Sequence, residues 1–207
     1  MKWTRSQYIP LLTCWKSGGK NEVQRVVIAF PLLVGLIFLV CLLVPELGTQ
    51  LSDFILTLFQ SMEIADAEGS LSASSLFLHN LQSCAMILLY GFLPFVPLAA
   101  LALGTNTLVL GVLCAYYAAN HLPMSVFFVS LFPHGLLEFP ALFLAFGMGL
   151  YTSGQITRRC RHDQSAVPFS DCVLLSSRLL ILILFPLLLI SAVLEAYVTP
   201  LLVSLFL

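Results

Sequence analysis

The chain has 207 residues, of which 59% are hydrophobic and only 9% carry a charged side chain. Soluble domains carry about 25% charged residues, so this composition cannot cover a molecular surface in water. The lipid bilayer must be the solvent for most of the chain, which predicts an all-α, polytopic bundle of transmembrane helices. We expect one integral membrane domain over residues 1–207, placed in the cell membrane as a multi-pass protein.

The charges are segregated along the chain, although they sum to a net charge of only −1. The basic residues fall in two regions: Lys2, Arg5, Lys16, Lys20 and Arg25, and then Arg158, Arg159, Arg161 and Arg178. Five acidic residues, with no basic residue among them, lie between residues 46 and 75. Because basic loops stay in the cytoplasm, we predict a cytoplasmic N-terminal segment at 1–25 and an extracytoplasmic segment at 46–75. No basic run suits nucleic acid, so we expect no nucleic-acid partner.

The first predicted span covers residues 26–45, because about 20 residues at a rise of 1.5 Å match a hydrocarbon core roughly 30 Å thick. Apolar residues at helical spacing within 51–62 then predict an amphipathic helix on the outer surface. That stretch is too short to span. A loop packed on the bundle fits the same residues equally well.

Prolines and glycines interrupt the next apolar stretch, residues 77–151. We expect helices at 78–93 and 107–120, with a turn at Gly104–Asn106 between them. Residues 124–151 are too many for one straight span, and Pro133, Gly135 and Pro140 predict two half-helices that meet near residues 133–135. The last predicted span is 173–198, with Pro186 inside it.

These elements predict about five spans with broken or kinked helices. The chain must cross the membrane an odd number of times between the acidic stretch at 46–75 and the arginines that begin at residue 158. The N-terminus is expected in the cytoplasm and the C-terminus outside.

A polar centre is predicted around Glu138, which stands in a long apolar run. An ionised acid at mid-membrane costs about 2.5–3.5 kcal/mol on insertion scales, so such residues usually face a bundle interior and have a partner. His134 lies four residues earlier, on the same helical face. The other candidates for this centre are Glu195, Asn80, Asn106 and His79.

Three interpretations of this centre stay open. The first is a structural hydrogen-bond lock between Glu138 and a partner such as His134 or an asparagine of another helix. The second is a substrate or proton path. The third is a metal centre, since His and Glu at this spacing could supply two ligands, although the sequence has no H-E-x-x-H motif.

Other chemistry has little support in the sequence. No serine or cysteine has a base at recognisable spacing, so we expect no catalytic residue, no bound metal and no cofactor. The six cysteines are interpreted as small apolar side chains. Gly147 and Gly149, with Ala145, predict close packing between helices rather than a ligand site.

The run Pro133-His134-Gly135-Leu136-Leu137-Glu138-Phe139-Pro140-Ala141, followed by Gly147 and Gly149, resembles the signature of the stage II sporulation protein M family. Three further features occur in the family's order: Asn80 in the second helix, Gly104 and Asn106 before the third, and the ending Leu194-Glu195-Ala196-Tyr197-Val198-Thr199-Pro200. This chain has His79-Asn80 where the family usually has two asparagines.

The resemblance implies a five-pass membrane protein. The family's namesake is associated with engulfment, where it anchors a wall-degrading complex with the sporulation proteins D and P. The family also occurs in organisms that do not sporulate. We therefore expect a non-enzymatic scaffold, forming a homo-oligomer, that recruits cell-wall-remodelling proteins such as peptidoglycan hydrolases. The alternatives are a transporter or lipid-handling protein working through His134 and Glu138, and an intramembrane metal-dependent hydrolase.

Overall fold

The structure, a computed structural model, describes residues 2–61, 73–95 and 98–203. These residues form helices and no strand. Eight α-helices are assigned in the described chain: α1 (Lys2–Cys14), α2 (Lys20–Leu43), α3 (Pro45–Ser61), α4 (Ala73–Tyr90), α5 (Leu98–Ala119), α6 (Met124–Cys160), α7 (Phe169–Leu179) and α8 (Phe185–Val203). A π-helical segment joins α1 to α2 (Trp15–Gly19), and another joins α7 to α8 (Leu180–Leu184).

Within the described ranges, four stretches of helix are long and apolar enough to cross a membrane: Gln7–Leu43, Leu98–Ala119, Gly135–Cys160 and Phe169–Val198. The predicted all-α, polytopic class is therefore confirmed. The fifth predicted crossing corresponds to α4, which is a helix of 18 residues but is not one of these four stretches. The count of five stays a prediction.

The core lies where α6 packs against α2, α4 and α8. Phe146 of α6 and Leu184 and Leu188 of the last helical stretch are fully buried there. The outward faces carry large apolar side chains, such as Leu32 and Leu36 of α2, which are 67% and 56% exposed. Large apolar side chains on the outer surface are what solvation by lipid requires.

The chain turns sharply between α2 and α3 at Val44 and Pro45. Val44 has an extended backbone (φ −124°, ψ 80°) because the residue before a proline is disfavoured in the α-helical region. Proline then begins α3, where its missing N–H costs no hydrogen bond. The predicted amphipathic helix at 51–62 is thus observed at Pro45–Ser61. Its buried residue Ile55 packs with Cys41, Val112 and Ala115 of α2 and α5.

The predicted turn at Gly104–Asn106 is wrong, because α5 runs through these residues without a break. Their polar groups are satisfied along the helix itself. Thr105 and Asn106 donate side-chain hydrogen bonds to the carbonyl of Ala102, at 2.8 and 2.9 Å, and Thr107 donates to that of Gly104. A helical glycine costs about 1 kcal/mol, which is less than leaving several backbone groups unpaired in lipid.

The predicted break near residues 133–135 is also wrong. A single helix, α6, covers Met124–Cys160 and includes Pro133, Gly135 and Pro140. Each proline removes one backbone hydrogen bond, whereas unwinding the helix would expose several donors and acceptors where no water can reach them. Keeping the helix intact is the smaller cost.

The irregular helix geometry occurs elsewhere. The π-helical segment Leu180–Leu184 ends two residues before Pro186. A proline cannot bond to the carbonyl four residues earlier and its ring crowds that carbonyl, so a widened turn just before it relieves the clash. The predicted final span at 173–198 is observed within a helical stretch that begins at Phe169 and continues to Val203.

The loop between α6 and α7 is held by its own charges. Arg158 forms an ion pair with Asp163 at 2.7 Å, and the hydroxyl of Ser165 donates to Asp163 at the same distance. The Ser165 hydrogen bonds and the Arg158 guanidinium hold the pKa of the Asp163 carboxyl at about 2. This carboxylate therefore stays ionised across the physiological range and fixes the arginine side chain.

A kink at Gly18 separates α1 from α2. Its backbone lies in the left-handed region (φ 140°, ψ −21°), which glycine adopts without strain and residues with a Cβ rarely do. The kink redirects the chain so that α1 packs against α7. It brings Ser17 to Tyr151 of α6, where their hydroxyl oxygens are 3.2 Å apart.

Substitution of Gly18 by alanine is therefore expected to destabilise the protein by about 1–2 kcal/mol, because a Cβ is strained at this φ. Gly35→Ala is the matched control: it lies inside α2, where a Cβ would meet nothing within 4 Å. That change should be neutral or stabilising. Thermal unfolding in detergent measures both, and equal midpoints for the two variants would contradict the kink.

Candidate functional site

The strongest candidate site is a hydrogen bond between α4 and α6 in the interior of the bundle. The side-chain amide of Asn80 donates to the carboxylate of Glu138 at 2.7 Å. Both side chains are buried, with exposed fractions of 9% and 5%. The two residues are 58 positions apart in the chain, so the bond ties two separate helices together.

The sequence places both residues on inward faces of their helices. On α4, the buried positions Leu76, Asn80, Cys84 and Ile87 recur at three- or four-residue spacing. On α6, Glu138 shares its face with Ala141, Leu142 and Ala145. These small alanines let the neighbouring helices approach, and they leave the carboxylate surrounded by protein rather than by lipid.

Aromatic rings pack together where α2 meets the α6 segment that begins next to Glu138. The ring of Phe30 from α2 lies 5.3 Å from that of Phe139 and 5.2 Å from that of Phe143. Phe139 follows Glu138 directly in the chain. A low-dielectric environment of this kind strengthens a charge-assisted hydrogen bond and penalises a carboxylate without a partner.

Glu138 makes a further interaction besides the one with Asn80. A carboxylate can accept several hydrogen bonds, so an amide donor plus another partner satisfies much of its capacity. Such an arrangement locks two helices in register.

The remaining residues predicted for the polar centre have different positions. Asn106 donates to Ala102 of its own helix, and His79 is exposed on the outward side of α4. Glu195 is half-buried near the far end of α8 and has a partner of its own. The side chains of His134 and Pro133 lie outside the described residues, so the predicted pairing of His134 with Glu138 stays a prediction.

Gly147 lies where α6 and α2 are in closest contact. A Cβ at this position would be 2.3 Å from a methyl carbon of Val23 and 2.9 Å from its backbone nitrogen. The backbones could not approach this closely with any larger residue. Gly149 lies against α4 and α5 in the same way, where a Cβ would be 3.0 Å from the carbonyl oxygen of Ile87.

Some polar groups of the interior were not predicted from the sequence. The hydroxyls of Ser17 and Tyr151 meet at the Gly18 kink. The buried hydroxyl oxygens of Thr152, Ser176 and Ser191 have no hydrogen-bond partner among the residues that the structure describes. Single hydroxyl residues in an apolar run give no periodic pattern. The Ser17-Gly18-Gly19 run next to Trp15 was the one available signal of a bend.

A metal centre would need ligands beyond Glu138 and His134. Among the side chains that the structure describes, no three His, Cys, Asp or Glu residues are grouped closely enough to hold a metal ion.

The comparison with protein families gives a match to the family model described as stage II sporulation protein M, over residues 26–200. The matched region runs from α2 almost to the end of α8 and includes both Asn80 and Glu138. The chain belongs to the stage II sporulation protein M family. Searches of curated proteins and of solved structures give no significant match.

Membership in the stage II sporulation protein M family agrees with the resemblance found in the run around Glu138. It also agrees with the four apolar helices, so the chain is a membrane protein of this family. The first 25 residues, which contain α1 and the Gly18 kink, precede the matched region.

Replacing Asn80 with alanine is expected to destabilise the bundle by about 1–3 kcal/mol, because a buried carboxylate loses its amide donor. Asn106→Ala is the matched control, since that amide bonds within its own helix, and its effect should stay below about 0.5 kcal/mol. Reversible unfolding in mixed micelles measures both differences.

Glu138→Gln should fall between these two variants, because a neutral amide oxygen still accepts from Asn80 but the bond loses its charge. An Asn80→Ala protein as stable as Asn106→Ala would show that the interhelical bond contributes nothing.

Proposed function

We propose that this protein is a non-enzymatic scaffold of the cell membrane that associates with copies of itself and recruits cell-envelope proteins such as peptidoglycan hydrolases. The observation that carries the proposal is the engagement of Glu138, the acid predicted to be deepest in the membrane, in a buried bond between two helices. Family membership adds support, since the family's namesake anchors a wall-degrading complex.

The burial of Glu138 favours a structural role over a path for substrates or protons. A transport site must exchange with water on one side of the membrane at a time, whereas this carboxylate is 5% exposed and held by Asn80. An apolar cavity of about 240 Å³ lies between α1 and α6, and neither Glu138 nor Asn80 is among the residues that line it.

The proposed orientation has a cytoplasmic N-terminus, five crossings and an external C-terminus. Its support is that the two basic regions lie at the same end of the bundle. Ser17 contacts Tyr151 near the start of α2, and the backbone N–H of Phe95 donates to Thr157 one residue before the arginines. Basic residues at one end favour that end as cytoplasmic.

The fifth crossing is assigned to α4. Its last turn leads to Leu93, whose carbonyl accepts from Ser153 at the arginine end, while its first turn follows the acidic stretch. Eighteen residues at 1.5 Å per residue span about 27 Å, close to the thickness of a hydrocarbon core. Asn80 is compatible with this depth because Glu138 satisfies it.

Self-association is proposed through an outward face of α5. Ala100 and Leu101 are exposed there, and a Cβ at Gly104 would meet nothing within 4 Å. Small residues four positions apart let two membrane helices approach closely, and lipid provides no comparable packing partner. Ala100 and Gly104 leave a shallow groove on the surface of α5, and a second copy of the chain places its own α5 in this groove.

Gly104→Leu is therefore expected to weaken self-association by about tenfold, or ~1.4 kcal/mol, by filling the groove. The measurement is energy transfer between differently labelled copies in vesicles at decreasing protein density. Gly35→Leu is the control, since Gly35 is also open on its outward side but has Pro31 and Leu39 as its neighbours four positions away. Equal association of the two variants would eliminate this interface, and a monomer at all densities would eliminate the oligomer.

The partner surface is proposed on the outward face of α3, where Asp53 and Phe54 are exposed while Ile55 packs inward. A photoreactive amino acid at Phe54, introduced in the native host, should give adducts with a wall hydrolase or another envelope protein, identified by mass spectrometry. The same residue at Leu36, which faces lipid from α2, serves as the control. Lipid adducts alone at both positions, with normal protein levels, would contradict recruitment by α3.

A further inference from the structure

An apolar cavity of about 240 Å³ lies between the N-terminal helix and the bundle. Its walls come from α1, the Trp15–Gly19 segment, α2, α6 and the junction of α7 with the following π-helical segment. Its lining includes Leu11, Trp15, Val23, Leu144, Met148 and Ile183. A space with almost wholly hydrocarbon walls takes a hydrocarbon occupant, because a polar group there would lose its hydrogen bonds to water.

Three basic residues are immediate chain neighbours of residues that line this apolar space. Lys16 and Lys20 are exposed and directly follow the lining residues Trp15 and Gly19. Within the described part of the chain neither lysine forms an ion pair, unlike Arg25, which is paired with Glu22 at 2.7 Å. On the opposite wall, Arg178 precedes the lining residue Leu179 and donates to Gln7 of α1 at 3.1 Å.

Two aromatic residues of the lining are partly exposed as well: Tyr8 at 41% and Trp15 at 39%. Tyrosine and tryptophan prefer the headgroup level of a membrane, where one part of the ring system is wet and the other is apolar. Their presence beside the lysines places the cavity at the boundary between headgroups and acyl chains.

We propose that this cavity is a binding site for an anionic phospholipid, with one acyl chain between α1 and α6 and the phosphate close to Lys16 and Lys20. The apolar walls match the chain, and the two ammonium groups match a net negative headgroup. A zwitterionic lipid offers the same chain but no net charge, so the site discriminates by headgroup. The lipid holds α1 against the bundle.

The proposal does not depend on the scaffold function. Leu11, Trp15 and the two lysines all precede residue 26, where the match to the family begins. The lysines and the α1 wall of the lipid site therefore precede the matched region, whereas its α6 wall lies within that region.

The test uses the fluorescence of Trp15. The chain has two tryptophans, so Trp3→Phe leaves Trp15 as the single emitter. Phospholipids with brominated acyl chains quench tryptophan on contact. In vesicles of phosphatidylcholine, brominated phosphatidylglycerol should reach half-maximal quenching at a mole fraction roughly tenfold lower than brominated phosphatidylcholine.

Two variants in the Trp3→Phe background separate the charge from the cavity. Lys16→Gln with Lys20→Gln should remove the preference for the anionic lipid. Arg159→Gln with Arg161→Gln, which removes two charges where α6 ends and away from the residues that line the cavity, should keep it. Ile183→Phe, which reduces the cavity, should lower quenching by both lipids. Circular dichroism shows whether each variant folds. If Ile183→Phe does not fold, the variant with both lysines replaced decides the test by itself.

Equal quenching by the two lipids in the parent protein would overturn the proposal, as would an undiminished preference after both lysines are replaced. Protection of Trp15 that increases with protein density would identify a second copy of the chain as the occupant, and it would overturn the lipid site as well.

Discussion

The architecture depends on one polar contact in an apolar setting, the hydrogen bond from Asn80 to Glu138. Apolar side chains lose little by facing lipid instead of one another, so burial alone does not specify how membrane helices pair. A carboxylate and an amide differ from apolar side chains in this respect, because burying either group in hydrocarbon without a hydrogen-bond partner costs free energy. An arrangement that brings α4 and α6 together at this level pairs the two groups. The bond therefore selects one packing of the bundle from many that bury similar apolar area.

Close approach between backbones makes that selected packing rigid. Gly147 against Val23 joins α6 to α2, and Gly149 joins the same helix to α4 and α5. Each contact lies on the α6 segment that follows Glu138, so one helix carries both the polar lock and the tight contacts. This makes α6 the central element of the fold. It also explains why α6 stays a continuous helix in spite of two prolines, since breaking it would disturb every interface at once.

The sequence was sufficient to predict the class of fold, because a chain that is solvated by lipid must have an apolar composition and a high hydropathy. It was also sufficient to single out Glu138 and Asn80 as polar residues that need protein around them. It was misleading at Gly104–Asn106 and near Pro133, where residues typical of turns in water occur inside helices. Turn propensities describe proteins in water, which forms hydrogen bonds with the backbone groups of an unwound segment. Lipid cannot form those hydrogen bonds. The bend at Gly18 falls on a glycine, for which a left-handed backbone costs little.

The position of that bend gives the N-terminal segment its significance. A straight continuation of α2 would carry Lys16 and α1 away from the bundle into water. The kink instead brings α1 back beside α7, so that Gln7 meets Arg178 and a cavity is left between α1 and α6. Since Tyr151 meets Ser17, protein contacts hold the segment near the kink, and the apolar cavity lies beside it with partly exposed lining residues. Without a hydrocarbon neighbour the walls of such a cavity lose dispersion contacts. Surrounding acyl chains are the most abundant material able to restore those contacts, and the adjacent lysines determine which headgroup accompanies the chain.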